Sequence, residues 1–564
     1  MMSSSSTAFL LFLALCKLFT SCFSGTIPMY DSFLQCLSTV STNPIPKDQV
    51  SSILYAPANA SFSSVLQAYA RNRRFNTGSS PKPAIIVTPL HESHVPPVVT
   101  CAKKLGVEIR IRSGGHDYEG ISYVSDVNFI ILDMFNLRSV DVDVAGETAW
   151  VQAGATLGEL YYRIWEKSSV HGFPGGVCPT VGVGGHVSGG GYGNMIRRFG
   201  LTVDHVADAR IVDVKGRILD RKSMGEDLLW AINGGGGASF GVILAFKIKL
   251  LRVPKTVTYF RAEKYFGLTP NFNDVVSQYF NTASKIDNNL FIRLLLQIVP
   301  PPPPNNNSKT VRSSYVGLFL GDSETLISTL NHDFPSLGLK KQDCFEMSWI
   351  ESLLRWGNFG NGAKPEALLN RTPAGDVSFL KRKSDYLQTP IPKQILDSLW
   401  NKMLELGNTG LAVNPYGGKM AEIPSTQTPF PHRAGILFKI QYAVSWTQEG
   451  EAADREHISQ IRALHSFLTP FVSSNPRQAY LNYRDLDIGT TDHGLHSYEE
   501  GKVYGHKYFM GNYERLVKVK SMVDPENFFR NEQSIPSLNR SRNRNRTGSE
   551  SCEPGFCRNI HRLL

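Results

Sequence analysis

Apolar residues change their period along this chain, and the changes divide it. From Val107 to Arg112 every second residue is apolar (VEIRIR), the spacing of a strand with one buried face. Before it, residues 83–89 are a short apolar strand held between prolines, and residues 92–105 repeat their apolar positions at helical spacing. Strand, helix, strand predicts an α/β unit with a ligand at the carboxyl end of the strands. Further strands are expected at 129–133, 140–144, 149–153 and 242–250, with a hairpin of 206–214 and 216–220. Helices are expected over 30–39, 62–74 and 157–167, and a helical turn over 226–231.

Past Pro254 the pattern becomes alternating strands (290–299, 313–320, 435–446) mixed with helices (325–333, 393–406, 456–467). That mixture predicts a separate α+β unit on an antiparallel sheet covered by helices. In its strand GILFKIQYAVSW, Leu437, Lys439, Gln441 and Ala443 share one face, while Phe438, Ile440 and Tyr442 share the other. The Pro300–304 run and the asparagines after it read as a stiff surface connection. The expected divisions are 1–25, 26–255, 256–476, 477–537 and 538–564. At 564 residues, two or three domains are the natural expectation.

The first division is a leader: 3–25 is apolar but too short and too close to the start to span and stay, so a secretory signal cleaved near Ser24 or Gly25 is expected rather than an anchor. Secretion changes the reading of eight cysteines, because an oxidising compartment favours disulfides. Cys16 and Cys22 leave with the leader, Cys36 and Cys101 are expected to pair, and Cys552 and Cys557 can close a loop in the tail. Secretion also gives the sequons at Asn59, Asn306, Asn370, Asn539 and Asn545 a use. No pattern suggests a structural zinc. The formal charge of +10 is dispersed except in the tail and lacks an aromatic-basic motif, which argues against nucleic acid and favours polyanionic carbohydrate. With six arginines against two glutamates, the chain after Ser537 is expected to be disordered. A monomer with no integral membrane segment is expected.

Three glycine-rich stretches carry the candidate chemistry. In FPGGVCPTVGVGGHVSGGGYG, residues 173–193, nine glycines let backbone lie against something flat and large, and Cys178 and His186 are planted among them. Ser113-Gly114-Gly115-His116 follows directly on the alternating strand, and a third run spans 233–241. A thiol and an imidazole suit an electron-poor ring such as a flavin. The third run, with Asn233 and Gly236, suits phosphate oxygens.

SGGHDYEG, GVCPTVGVGGHVSGGGYG, YLNYRDLDIG and YERLVKVKSMVDPENFFRNEQSIP, in this order, strongly resemble plant berberine bridge enzyme-like proteins, flavoproteins of the vanillyl-alcohol oxidase fold superfamily. The resemblance covers residues 30–536 and implies an α+β fold, with 477–537 completing the FAD domain. It implies FAD bonded through its 8α carbon to His116 and through C6 to Cys178, with Ser113, Gly114, Gly115, Gly185 and Gly189 in the cofactor loops. His186 matches a position that contacts the ribityl chain near the flavin N1/C2 carbonyl, where a donor would raise the reduction potential. Val181 matches a position that governs oxygen access, and valine there implies an oxidase that makes hydrogen peroxide.

Tyr483 matches a catalytic base, with Lys439 expected to lower its pKa by charge. Tyr118, Tyr192 and Tyr480 are expected to line the pocket by stacking. Gln441 stands where alkaloid-cyclising relatives have a glutamate base nearby, and glutamine cannot take a proton. The implied reaction is oxidation of an alcohol or hemiacetal carbon in a phenylpropanoid or an oligosaccharide, in the apoplast or a vacuole. The alternative is a flavoprotein that cyclises a specialised metabolite with or without net oxidation.

Overall fold

The computed structural model describes residues 29–40, 44–304, 309–372, 377–494 and 496–538. The leader, Cys16 and Cys22, Asn306, Asn539, Asn545 and the tail with Cys552 and Cys557 lie outside them. The fold is α+β, built among the described residues on one large sheet, two smaller ones of four and five strands, and a two-stranded pair of His171–Gly172 with Leu251–Arg252.

The first sheet has the order Leu54–Tyr55, Ile85–Val87, Phe129–Asp133, Glu108–Arg112, and its last three strands run parallel. The helix Val95–Leu105 makes the crossover expected from its spacing, and Gly106 in a left-handed conformation ends it. Cys36 in the helix Met29–Thr39 is bonded to Cys101 in this helix. The second sheet is antiparallel, in the order Val140–Asp143, Thr148–Gln152, Val242–Lys249, Val206–Val212, Ile218–Leu219.

The large sheet is a seven-stranded antiparallel sheet: Cys344–Met347, Val257–Tyr265, Thr310–Phe319, Leu290–Val299, Thr409–Pro415, Phe438–Trp446, Phe379–Leu387. One face packs Leu290, Ile292, Leu294, Phe438, Ile440 and Tyr442 under helices such as Phe272–Thr282 and Leu396–Leu406. The other face turns toward the glycine loops, and Phe291 and Leu295 from it join their apolar cluster. Lys439 and Gln441 therefore face the same way as Arg293 and Leu295, away from the helices. Registers Gln441 to Ala412 and Ala412 to Leu295 set these positions side by side across three strands.

After the sheet the chain returns to the glycine loops. The short turns Leu481–Tyr483 and Leu486–Ile488 are followed by the helices Ser497–Phe509 and Tyr513–Val523. Lys520 Nζ then donates to the carbonyl of Ser239, and the Ile535 amide donates to Ser239 Oγ, fastening this segment to the third glycine run.

Two readings of pattern need correction. The helix expected over 62–74 stops at Ala68, and Arg73–Phe75 forms a separate 3₁₀ turn. Asn72 causes the break: its buried side chain donates to the carbonyls of Tyr118 and Leu380, tying the loop after His116 to the large sheet. The strand Phe379–Leu387, with Lys381, Arg382, Lys383 and Asp385 in it, was not among the expected strands. Lys381, Lys383 and Asp385 are buried and Arg382 half-buried, and Lys381 and Lys383 pair with Glu119, Asp485 and Asp487 from two other segments.

Candidate active site

A cavity of about 480 Å³ lies between the glycine loops and the large sheet. Its walls differ in kind.

The loop wall is mostly backbone. Gly115 has φ +67°, and a Cβ there would stand 1.6 Å from the carbonyl oxygen of Tyr69. A Cβ on Gly114 would stand 2.4 Å from the Gly182 nitrogen, and one on Gly193 would stand 1.8 Å from the Gly175 carbonyl oxygen. These glycines bring chain against chain, which holds the loop bearing His116 close to its neighbours. A Cβ on Gly189 would stand 2.0 Å from Asn482 Oδ1, a side-chain neighbour. Gly185 is the contrast: it lines the cavity and a Cβ on it would meet nothing within 4 Å.

His116 and Cys178 both open onto this cavity from neighbouring loops. His116 Nε2 is 2.9 Å from Thr180 Oγ1, and the same oxygen is 3.6 Å from Cys178 Sγ. Burial, then the charge of Arg71, pushes the His116 imidazole down to about 4, so it is neutral near pH 7. Ser113 points away, donating to the Ala153 carbonyl. Val181 is half-buried in the wall three residues from the thiol.

His186 reaches the cavity, but its Nε2 accepts from the Gly176 amide at 3.1 Å and lies 3.2 Å from Thr202 Oγ1. That nitrogen braces the loop and is not a donor to a ligand. Burial, then Lys439, lowers this imidazole to about 3. Asn233 is outside the cavity walls, with Nδ2 donating to the Val203 carbonyl. Gly236 lines the cavity with φ +90°, yet its amide donates to Ser188. The amides of Asn233, Gly235 and Gly236 are thus used within the protein, while Gly237 and Ala238 line the cavity at the start of a 3₁₀ turn.

The sheet wall is side chains. Lys439 is fully buried and its Nζ has no hydrogen-bond partner. It lies 2.8 Å from the ring centroid of Tyr192, 4.1 Å from Tyr480 and 4.4 Å from Tyr483. Burial, then Arg293, holds its pKa well below the usual lysine value. Tyr192 and Tyr483 are hydrogen-bonded through their hydroxyls. Burial, then the neighbouring phenols, pushes Tyr483 well above the usual tyrosine range, so the expected lowering by a charged Lys439 is not what this environment produces.

Gln441 donates from Nε2 to the Tyr118 hydroxyl at 3.1 Å. Tyr118 packs against Tyr483 with ring centroids 5.8 Å apart. Tyr480 lines the cavity with its ring, but its hydroxyl accepts from the Gly191 amide and from Asn482 Nδ2. It holds the glycine loop in place as well as filling the wall.

Pattern alone missed Thr180, Arg293 and Arg484. Arg293 lines the cavity with Nε held by Asn414 and its guanidinium over Trp356. Arg484 also lines it, and its Nη1 is buried without a partner. The two arginines gave weak signals because each is one basic residue in an ordinary strand or turn.

Elsewhere, the predicted disulfide joins the two helices named above, and Asn59 and Asn370 are exposed. Among the described residues no helix is long and apolar enough to cross a membrane.

Residues 83–221 match the family model described as FAD binding domain, and residues 479–536 the model described as berberine and berberine like. Berberine bridge enzyme-like 21 of Arabidopsis thaliana is 57% identical over 512 residues, covering 90% of this chain and 93% of that protein. The solved structure of Phl p 4, a grass pollen allergen with glucose dehydrogenase activity, is 40% identical with a TM-score of 0.83 and covers 90% of this chain and 99% of that one. An isoleucine-to-valine variant of the same allergen is a glucose oxidase. Berberine bridge enzyme from Eschscholzia californica is 37% identical with a TM-score of 0.83 and the same coverage.

Proposed function

Since the chain belongs to the berberine bridge enzyme-like family of FAD-binding oxidoreductases, we propose that it oxidises the hemiacetal carbon of a sugar or oligosaccharide with dioxygen, releasing hydrogen peroxide. Residues 26–255 and 477–537 form the flavin-binding unit in this reading, and 256–476 the substrate unit. The observation that carries it is the pairing of the two walls: His116 and Cys178 on one, and Lys439 among three tyrosines on the other.

The residues present fit FAD. Gly185 leaves open space in the loop wall, while Lys439 Nζ and Arg484 Nη1 are buried polar atoms lacking partners at the cavity. His116 and Cys178 would hold the ring covalently, and Arg484 with Arg530 offers charge suited to a diphosphate. When bound, the flavin accepts a hydride from the substrate carbon and passes the electron pair to dioxygen.

The chain's part is to move a proton. Tyr483 Oη takes the substrate hydroxyl proton, and it must first be deprotonated. Its hydrogen bond to Tyr192 joins the two phenols, and the unpartnered Lys439 amine is the base beside both rings. An ammonium formed there lies against three aromatic faces, which offsets part of the cost of a buried charge. Gln441 and Tyr118 hold neutral hydrogen-bonding groups nearby and supply no second base.

The sugar hemiacetal is preferred over a phenylpropanoid alcohol because a glucose dehydrogenase shares the fold closely. That an isoleucine-to-valine change makes that allergen a glucose oxidase supports the oxidase reading, since Val181 here lines the cavity near the thiol. The Cys36–Cys101 bond, the exposed sequons at Asn59 and Asn370 and the apolar leader support a protein of the secretory pathway, acting at the cell wall.

A peroxide-release screen over cello- and pectic oligosaccharides, monolignols and alkaloids tests the proposal. Peroxide with a sugar is expected. Peroxide with monolignols alone would move the substrate to the phenylpropanoids, and product without bleaching of the yellow colour under anaerobic conditions would refute redox chemistry.

A further inference from the structure

The loop wall has one side chain whose hydroxyl meets both candidate attachment residues. Thr180 is 4% exposed, and its Oγ1 is hydrogen-bonded to His116 Nε2 while lying 3.6 Å from Cys178 Sγ. The backbone holds it there tightly, since its carbonyl oxygen is within 3.0 Å of where a Cβ on Gly114 would stand. The backbone of Thr180 also lies within hydrogen-bonding reach of the His116 ring.

We propose that Thr180 is the positioning residue for covalent attachment of the flavin, fixing the tautomer and orientation of His116 and presenting a hydroxyl proton to Cys178. The inference rests on the bicovalent reading above. A hydroxyl has one proton and can accept as well. If Thr180 accepts from His116 Nε2–H, the proton of the neutral imidazole is fixed on Nε2 and the Nδ1 lone pair is left free. The hydroxyl's own proton is then directed at the sulfur, which orients the Cys178 side chain. One side chain thereby prepares two nucleophiles on adjoining loops.

Each attachment balances with one dioxygen as the oxidant: the C6–S bond to Cys178 replaces C6–H, and the two protons and the electron pair released go to dioxygen as hydrogen peroxide, as at His116. A bond forms from His116 Nδ1 to the flavin 8α carbon, and one C–H bond of that methyl group breaks. The methyl proton is released, and so is the Nε2 proton, toward the oxygen that already accepts it. The electron pair left on the ring passes to dioxygen, which with the two protons becomes hydrogen peroxide. Burial of a neutral His116 suits this role, since a protonated imidazole has no lone pair on Nδ1.

The test uses the full chain secreted from a eukaryotic host as wild type, Thr180→Val and Thr180→Ser. Tryptic peptides containing His116 and Cys178 are weighed for flavin after denaturation, alongside the melting temperature. Wild type should carry flavin on both peptides. Thr180→Val, which keeps shape and removes the hydroxyl, should bind FAD yet lose the His116-linked fraction by about tenfold or more, as misplaced reacting groups do. Thr180→Ser should restore most of it at a similar melting temperature, which a merely packing role would not explain.

Full His116 linkage in Thr180→Val overturns the inference. Should that variant fail to fold, Thr180→Ala takes its place, and full linkage there overturns it equally. A wild-type protein with flavin on neither peptide refutes the covalent reading itself, and that result is seen before any variant is made.

Discussion

The two walls of the cavity are built by opposite means. The loop wall is backbone packed on backbone, where glycine is required because Gly114, Gly115, Gly182 and Gly193 have main-chain atoms where a Cβ would go. The sheet wall is side chain packed on side chain, with Lys439 enclosed by the rings of Tyr192, Tyr480 and Tyr483. The first suits a large flat cofactor that must be held and not reacted with elsewhere. The second suits proton transfer, because its groups lie in low dielectric and their pKa values are pushed away from their usual ranges. Tyr480 and Asn482 join the two, bonding to the Gly191 amide and the His186 carbonyl.

The largest expected effect separates two glycines of the loop wall itself. Gly115→Ala puts a methyl group 1.6 Å from a carbonyl oxygen at φ +67°, a strain of more than about 3 kcal/mol that should abolish soluble secretion. Gly185→Ala places its methyl in open space within the helix Val183–Ser188, where alanine should stabilise by up to about 1 kcal/mol. It should instead lower the flavin-to-protein ratio. Yield, melting temperature and flavin absorbance check the pair, and equal behaviour of the two variants would break the distinction between chain-facing and ligand-facing glycines.

On the sheet wall, rate and stability should move in opposite directions. Tyr483→Phe should slow anaerobic flavin reduction by about 10²-fold or more, the usual loss of a general base. Lys439→Met removes a buried amine without a partner, so the protein should melt higher while reduction near pH 7 slows by about tenfold. Without that amine the phenol proton must go to solvent, so the rise of rate with pH should shift toward alkaline values. Stopped-flow reduction across pH and a melting curve decide it. A Lys439→Met enzyme with an unshifted profile would remove the lysine from proton storage.

The same contrast explains what could be read from the residues. Glycine loops announce themselves because no other side chain tolerates such close approach, and the faces of the strand with Lys439 and Gln441 follow from a period of two. His116 and Cys178 stood out as reactive groups among glycines. Direction within a loop was not legible: His186 points its Nε2 at Gly176, and Asn233 turns to Val203. Nor were partners far apart in sequence. Lys381 and Lys383 look solvated until Glu119, Asp485 and Asp487 arrive from other segments to pair with them. Thr180 is one ordinary hydroxyl in the chain, and its meaning comes only from the two side chains it meets.

The smallest expected effect concerns acid. The loop wall holds His186 buried and neutral, with a folded pKa of about 3 against an ordinary value of 6.5. A depressed histidine means the unfolded chain binds more protons between those values, so stability is fully present above pH 6.5 and is lost as pH falls toward 3. At pH 5.5 the loss from this one group is about 1 kcal/mol. His186→Gln can keep an acceptor for the Gly176 amide while removing the titration, so it should lower stability at pH 7.5 yet flatten the slope below pH 6.5. Urea midpoints at pH 7.5 and 5.5 measure this. An equally steep slope in His186→Gln would assign the acid sensitivity elsewhere, to groups such as His432, buried with a pKa of about 4 between Gln478 and the Tyr508 carbonyl. The walls would then differ in chemistry but not in their response to protons.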